Sequence, residues 1–62
     1  MPMTPKEMVK LLQKNGFKKE RQTGSHIFLV NHETGRYTTV PMHNKDLGKG
    51  LENEILKQAG LK

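Results

Sequence analysis

The chain has 62 residues, 11 Lys and Arg against 6 Asp and Glu, a net charge of +5 and no cysteine. A chain of this size buries only about 60% of the surface its unfolded form exposes, which allows one small core and leaves no room for a cofactor-sized cavity. The missing cysteines exclude a disulfide framework, a cysteine-based zinc module and a thiol nucleophile. No apolar run approaches the roughly 18 residues that span a bilayer, and there is no secretory h-region, so a cytoplasmic protein is the expectation. The mean hydropathy of −0.79 is polar for a folded domain, yet the apolar residues are clustered and periodic. The basic balance favours an anionic partner: nucleic acid, an acidic protein or a membrane surface.

Thr4-Pro5-Lys6-Glu7 is a helix start, with Thr4 as cap, Pro5 at the first helical position and Glu7 closing a capping box. Met8, Leu11 and Leu12 recur at helical spacing and Asn15-Gly16 ends the element, so a helix is predicted over 4–15, with Phe17 folding back on its last turn. The charged segment from Phe17 to Gln22 suits an edge strand. Thr23-Gly24 is a turn, and Ser25 to His32 is the strongest strand, carrying Ile27, Phe28, Leu29 and Val30 in a row. His32 to Arg36 reads as a Gly-containing hairpin turn, Tyr37 to Val40 as the return strand, and Pro41 ends its ladder. After a polar connection, a second helix is predicted over 50–59, with Leu51, Ile55 and Ala59 on one stripe, Gly60 as its stop and Leu61 packing back.

This order predicts an α+β fold, α-β-β-β-α, with a three-stranded antiparallel sheet and two helices on one face, forming a single domain over residues 1–62. The expected core is Leu11, Leu12, Phe17, Phe28, Val40, Leu51 and Ile55.

Chemistry centres on Gly24-Ser25-His26 at the start of the central strand. Glycine lets the backbone turn and lets a large ligand come close; histidine is the residue type suited to proton transfer near neutral pH, which makes His26 a candidate general acid or base. Ser25, adjacent to His26 on a strand, points to the opposite face, which argues against a serine triad. His32 belongs to a turn, and His43 to the loop after the return strand. The spacing of the three histidines matches no familiar zinc pattern, so no metal is expected. Lys6, Lys10 and Lys14 recur every four residues and run on towards Lys18, Lys19 and Arg21 as a track for phosphates. Gly48-Lys49-Gly50 precedes the second helix without the spacing of a P-loop. The only aromatics are Phe17, Phe28 and Tyr37, and two look structural, so no stacking platform for single-stranded bases is expected.

Four segments in this order resemble the HicA family of toxins from bacterial toxin–antitoxin modules. They are the first helix ending in Asn15-Gly16-Phe17, then Gly24-Ser25-His26, then Thr38 to His43, and finally Ile55 to Leu61. The resemblance implies a double-stranded-RNA-binding-domain-like fold and an endoribonuclease acting on mRNA with His26 as catalytic residue. It also implies a HicB antitoxin as protein partner. Operator DNA contact is expected only through that antitoxin, since no helix-turn-helix is visible. One departure is Gly50-Leu51-Glu52, where family members often open the helix with Gly-Thr-Leu. No cofactor is expected, and the reaction is expected to be metal-independent. The RNA-contacting candidates are Lys10, Lys14, Lys18, Lys19, Arg21, Gly24, Ser25, His43 and Lys45, while Lys18, Lys19, Arg21 and Lys45 are candidates for stabilising charge on phosphorus. The alternative is a non-catalytic RNA-binding module of the same fold.

One tension stays open in the sequence. Strict alternation puts His26 on the same face as Phe28 and Val30, which are wanted in the core. The expectation is that His26 lies at the strand end, beyond the cover of the helices, and that Ile27, Leu29 and Tyr37 form an exposed apolar patch for antitoxin docking.

Overall fold

The structure is a computed structural model that describes residues 3–42 and 47–62. Its elements run α1 (Pro5–Lys14), β1 (Lys18–Thr23), β2 (His26–Asn31), β3 (Arg36–Pro41) and α2 (Lys49–Gln58). The strands pair antiparallel in the order β1-β2-β3. Met8 and Leu12 of α1 and Ile55 of α2, with Ala59 just beyond it, share one core with Ile27, Leu29 and Val40 of the sheet. Both helices therefore cover one sheet face and leave the other open.

Local chemistry explains the ends of the helices. Thr4 Oγ1 accepts from the Glu7 backbone N–H at 3.3 Å, and the Thr4 N–H donates to Glu7 Oε1 at 2.9 Å, a reciprocal capping box. The Thr4 backbone N–H is the main reason the Glu7 carboxyl is held below the usual glutamate value of 4.5. A depressed acid stabilises the fold above its unfolded pKa and loses that contribution as pH falls through the folded one. The stability advantage of the wild-type chain over Glu7→Gln is thus expected to be full above pH 4.5 and to vanish as pH drops further, as read by urea unfolding across that range. At the other end of α1, the Phe17 N–H donates to Leu12 O at 3.0 Å and the Gly16 N–H to Gln13 O at 3.2 Å. This is a Schellman motif, and the φ of 94° at Gly16 is the left-handed turn it requires. The same pair of bonds closes α2, from Leu61 to Leu56 O at 2.9 Å and from Gly60 to Lys57 O at 3.0 Å.

α2 starts differently. Its N-cap is Gly48, and no side chain caps the first turn, in keeping with the departure at Gly50-Leu51-Glu52. Glu52 instead accepts from the Met3 N–H at 3.0 Å, and the Leu47 N–H donates to Met3 O at 2.9 Å. These bonds bring the starts of both helices together. They also lie at the end of the sheet where His26 pairs with Pro41 and the Met42 N–H donates to Ser25 O. The helices finish at the opposite end: the chain at Asn15 meets Asn31, and Gly60 lies against Arg36.

The sheet inverts part of the expected core. On β2, Ile27, Leu29 and Asn31 are buried, whereas His26 is exposed and Phe28 and Val30 are half-buried. Phe28 therefore lies on the open face rather than in the core. Ile27 and Leu29 are core residues and not parts of an exposed patch; of that trio only Tyr37 is exposed. The run Ile27-Phe28-Leu29-Val30 is apolar on both parities, so its inward face is chosen by the neighbours. The inward face takes Leu29 with Thr38 on β3, and Ile27 with Val40. Leu51 is a second correction: it is exposed in the first turn of α2 while Ile55 is buried beneath it. Leu11 is half-buried against the core, and Leu12, Phe17, Val40 and Ile55 are in it as expected.

Two buried polar groups were not anticipated, and both are satisfied. Asn31 donates from Nδ2 to Asn15 O at 3.3 Å, and its Oδ1 accepts from the N–H groups of Glu33 at 2.9 Å and Thr34 at 3.3 Å. It thereby ties the β2–β3 turn to the end of α1. Thr38 donates from Oγ1 to Gln58 Oε1 at 2.8 Å, fastening β3 to α2. A buried polar group left unpaired costs about 1–3 kcal/mol, so these bonds help specify the packing.

Candidate active site

The β1–β2 hairpin closes through two residues, Gly24 and Ser25, between the paired Thr23 and His26. Gly24 has φ 58°, while among the described residues no non-glycine has positive φ. Positive φ at the first loop residue alone is the signature of a type II′ turn, whose twist matches that of the strands it joins. An added Cβ at Gly24 meets nothing within 4 Å. The glycine is therefore required by the backbone and not by crowding. This turn delivers His26 as the first residue of β2, with an exposed side chain on the uncovered face.

That face carries a particular set of neighbours. Opposite residues in an antiparallel pair share a face, so Lys18 lies there with Val30, Arg21 with Phe28, and Thr23 with His26. A bulge between Lys19 and Arg21 absorbs Glu20 and keeps Arg21 on this side. Arg21 is the diagonal neighbour of His26, a relation that sets two residues about 7–8 Å apart. The Arg21 guanidinium carbon lies 5.7 Å from the Phe28 ring centroid, and Phe28 stacks on Tyr37 at 5.6 Å with 24° between the rings. This row from β1 to β3 is not evident in the sequence, whose pattern assigns Phe28 to the core.

The other candidates are distributed differently. Lys10 and Lys14 are exposed on α1, in the layer on the far side of the sheet from the His26 side chain, so the helix stripe does not lead onto the His26 face. Lys19 pairs with Leu29 and points to the helix side of the edge. Gly24 and Ser25 form the turn beside His26. His43 and Lys45 lie outside the described residues. His32 follows the far end of β2, where its Nε2 is 2.8 Å from Glu20 Oε1. At about 3.3 Å per residue, six positions separate the two histidines by roughly 20 Å. Among the described residues no three His, Asp or Glu side chains converge as metal ligands, and no helix is long and apolar enough to cross a membrane.

The helix polarity adds to the site. Both helices begin at the His26 end of the sheet, and the amino ends of helices carry partial positive charge. Glu7 and Glu52 in the first turns offset part of it. The net result is an exposed imidazole at the end of an open face, with arginine diagonal to it and helix amino termini at the same end of the domain.

Two helices on one face of a three-stranded meander, in the order α-β-β-β-α, make this a double-stranded-RNA-binding-domain-like protein. The chain belongs to the HicA family, described as the HicA toxin of bacterial toxin-antitoxin systems, which it matches over residues 5–61. Comparison with curated proteins gave no match. Membership gives the chain a toxin role and implies an antitoxin partner.

Proposed function

We propose that the chain is an endoribonuclease toxin that cleaves mRNA with His26 as its catalytic base and is held inactive by a HicB antitoxin. The carrying observation is the exposed His26 on the uncovered face, diagonal to Arg21, in a chain of a toxin family. In this mechanism the imidazole takes the proton of a ribose 2′-hydroxyl, and O2′ attacks the adjacent phosphorus. The O2′–P bond forms and the P–O5′ bond breaks, leaving a 2′,3′-cyclic phosphate. Water supplies the proton that completes the 5′-hydroxyl, and the imidazolium returns its proton to solvent. Among the described candidate cations Arg21 is the best placed to meet charge on the phosphoryl oxygens, since Lys19 points to the helix side and Lys18 pairs with Val30, about 13 Å along the strand from His26. His32 is too distant to act as the acid.

The test uses purified chain and an mRNA transcript, with and without EDTA. The expected products end in 2′,3′-cyclic phosphate and 5′-hydroxyl and form equally in EDTA, and added HicB suppresses them. Cleavage that stops in EDTA, or fragments with 5′-phosphate ends, would overturn the mechanism. Intact RNA bound in a salt-sensitive manner would instead mark a non-catalytic RNA-binding module.

A further inference from the structure

We infer that Tyr37, backed by Phe28, is a stacking platform for a nucleobase of single-stranded RNA lying across the open face of the sheet. Tyr37 is 63% exposed, on an edge strand, and its ring leans on Phe28 rather than on the core. An exposed aromatic usually has a mobile ring, and a base that stacks on it must first restrict that motion. Here Phe28 already restrains one face of Tyr37, and the Arg21 guanidinium restrains Phe28 in turn. The platform is thus ordered before any base arrives, which lowers the entropic cost of stacking.

The charge around it selects the occupant. Arg21 and Lys18 share the face; of the acids nearby, Glu20 in the bulge has its carboxylate on His32 at 2.8 Å, and Glu54 of α2 lines the groove on the outer, edge side of Tyr37, so the cations lie on the side that leads to His26. A cationic, aromatic surface suits a chain of phosphates that carries π-faced bases. Single strands meet this requirement because their bases are free to splay onto a ring; in a duplex the base faces are already stacked.

Position links the platform to His26. Phe28 is two residues along the same strand, about 7 Å away, and Tyr37 is diagonal to Phe28 on the next strand. Tyr37 therefore lies about 14 Å from His26, four residues along the strand direction and one strand across. A strand of RNA with its scissile phosphate at His26 passes Arg21 before it reaches Tyr37. The stacked base is then a flanking nucleotide rather than the one cleaved. Only this register rests on the ribonuclease reading; the stacking itself does not.

The chain has one tyrosine and no tryptophan, so its intrinsic emission reports Tyr37 alone. The experiment uses the His26→Ala chain and a 2′-O-methyl oligouridylate, which cannot be cleaved by 2′-hydroxyl attack. Inorganic polyphosphate of similar charge and a blunt RNA duplex serve as comparisons. The expected result is that the single strand quenches the tyrosine emission, while polyphosphate and duplex leave it unchanged. Tyr37→Ala is expected to weaken single-strand binding by about 5- to 150-fold, the range for loss of one stacked base, and Tyr37→Phe to restore it. Phe28→Leu, which keeps apolar bulk but removes the backing ring, is expected to weaken it less.

Absence of quenching, equal quenching by polyphosphate, or Tyr37→Ala binding as tightly as the parent would overturn the proposal. Emission that changes only on adding the antitoxin would also overturn it and give the face to that protein. Quenching in a chain whose wild type leaves RNA intact would sustain the platform while the ribonuclease reading falls. Cleavage by a Tyr37→Ala chain with unaltered KM would do the reverse.

Discussion

His26→Ala is expected to abolish the growth arrest caused by the wild-type chain and to lower RNA cleavage by about 10²–10⁴-fold, the usual worth of a positioned general base. The fold should survive the change. His26 is exposed, at the first position of β2, and none of its side-chain atoms takes part in the hydrogen bonds that join the described elements. Substitutions at such positions usually alter stability by no more than about 0.5 kcal/mol. Rate and melting curve must therefore be read on the same preparation: the first is expected to collapse and the second to stay. A variant as toxic as the parent would remove His26 from the mechanism. A variant that is inactive because it is unfolded would contradict the open-face placement instead. Retained RNA binding in the inactive variant is also expected, because Arg21, Lys18 and Tyr37 remain in place.

The elements were legible in the sequence because each is marked by local chemistry. Thr4 and Glu7 announce the start of α1, Gly16 and Gly60 the ends of both helices, and Gly24 the hairpin that presents His26. The orientation of β2 was not legible. A half-buried strand declares its inner face by alternation, and Ile27-Phe28-Leu29-Val30 does not alternate. Its parity depends on partners distant in sequence: Val40 and Thr38 across the ladder, and Asn31, whose amide is needed inside to hold Asn15. The exposed state expected of His26 already contained the answer, since it forces Phe28 and Val30 outward with it. The aromatic row was lost by the same step: with Phe28 assigned to the core, Tyr37 stood alone. The mismatch at Leu51 has a simpler origin. A helical stripe identifies a face but not how deep each turn sits: Leu51 lines an open groove between α2 and β3 and stays exposed, while Ile55, one turn on, is buried.

The parity of β2 can be tested by stability alone, and this is the largest structural effect expected. A domain of 62 residues is stable by roughly 3–9 kcal/mol at the usual value per residue. Leu29 is fully buried between the helices and the sheet, and truncating such a leucine to alanine costs about 2–5 kcal/mol. Leu29→Ala is therefore expected to remove most of the cooperative transition in urea or heat. Phe28→Ala deletes a larger side chain but one that is half-buried on the open face, so a folded protein with a modestly lowered midpoint is expected. Both should be measured in the His26→Ala background, which permits production of the chain. The opposite ranking would place Phe28 inside, and with it His26, since the two share a face; the site would then be buried beneath the helices. Antitoxin offers a second readout of the same geometry. A partner that binds only the folded chain adds about 4 kcal/mol at a thousandfold excess over Kd, which is comparable to the cost at Leu29. Leu29→Ala should accordingly regain its fold in the complex, because the lesion is in the core and leaves the surface residues unchanged.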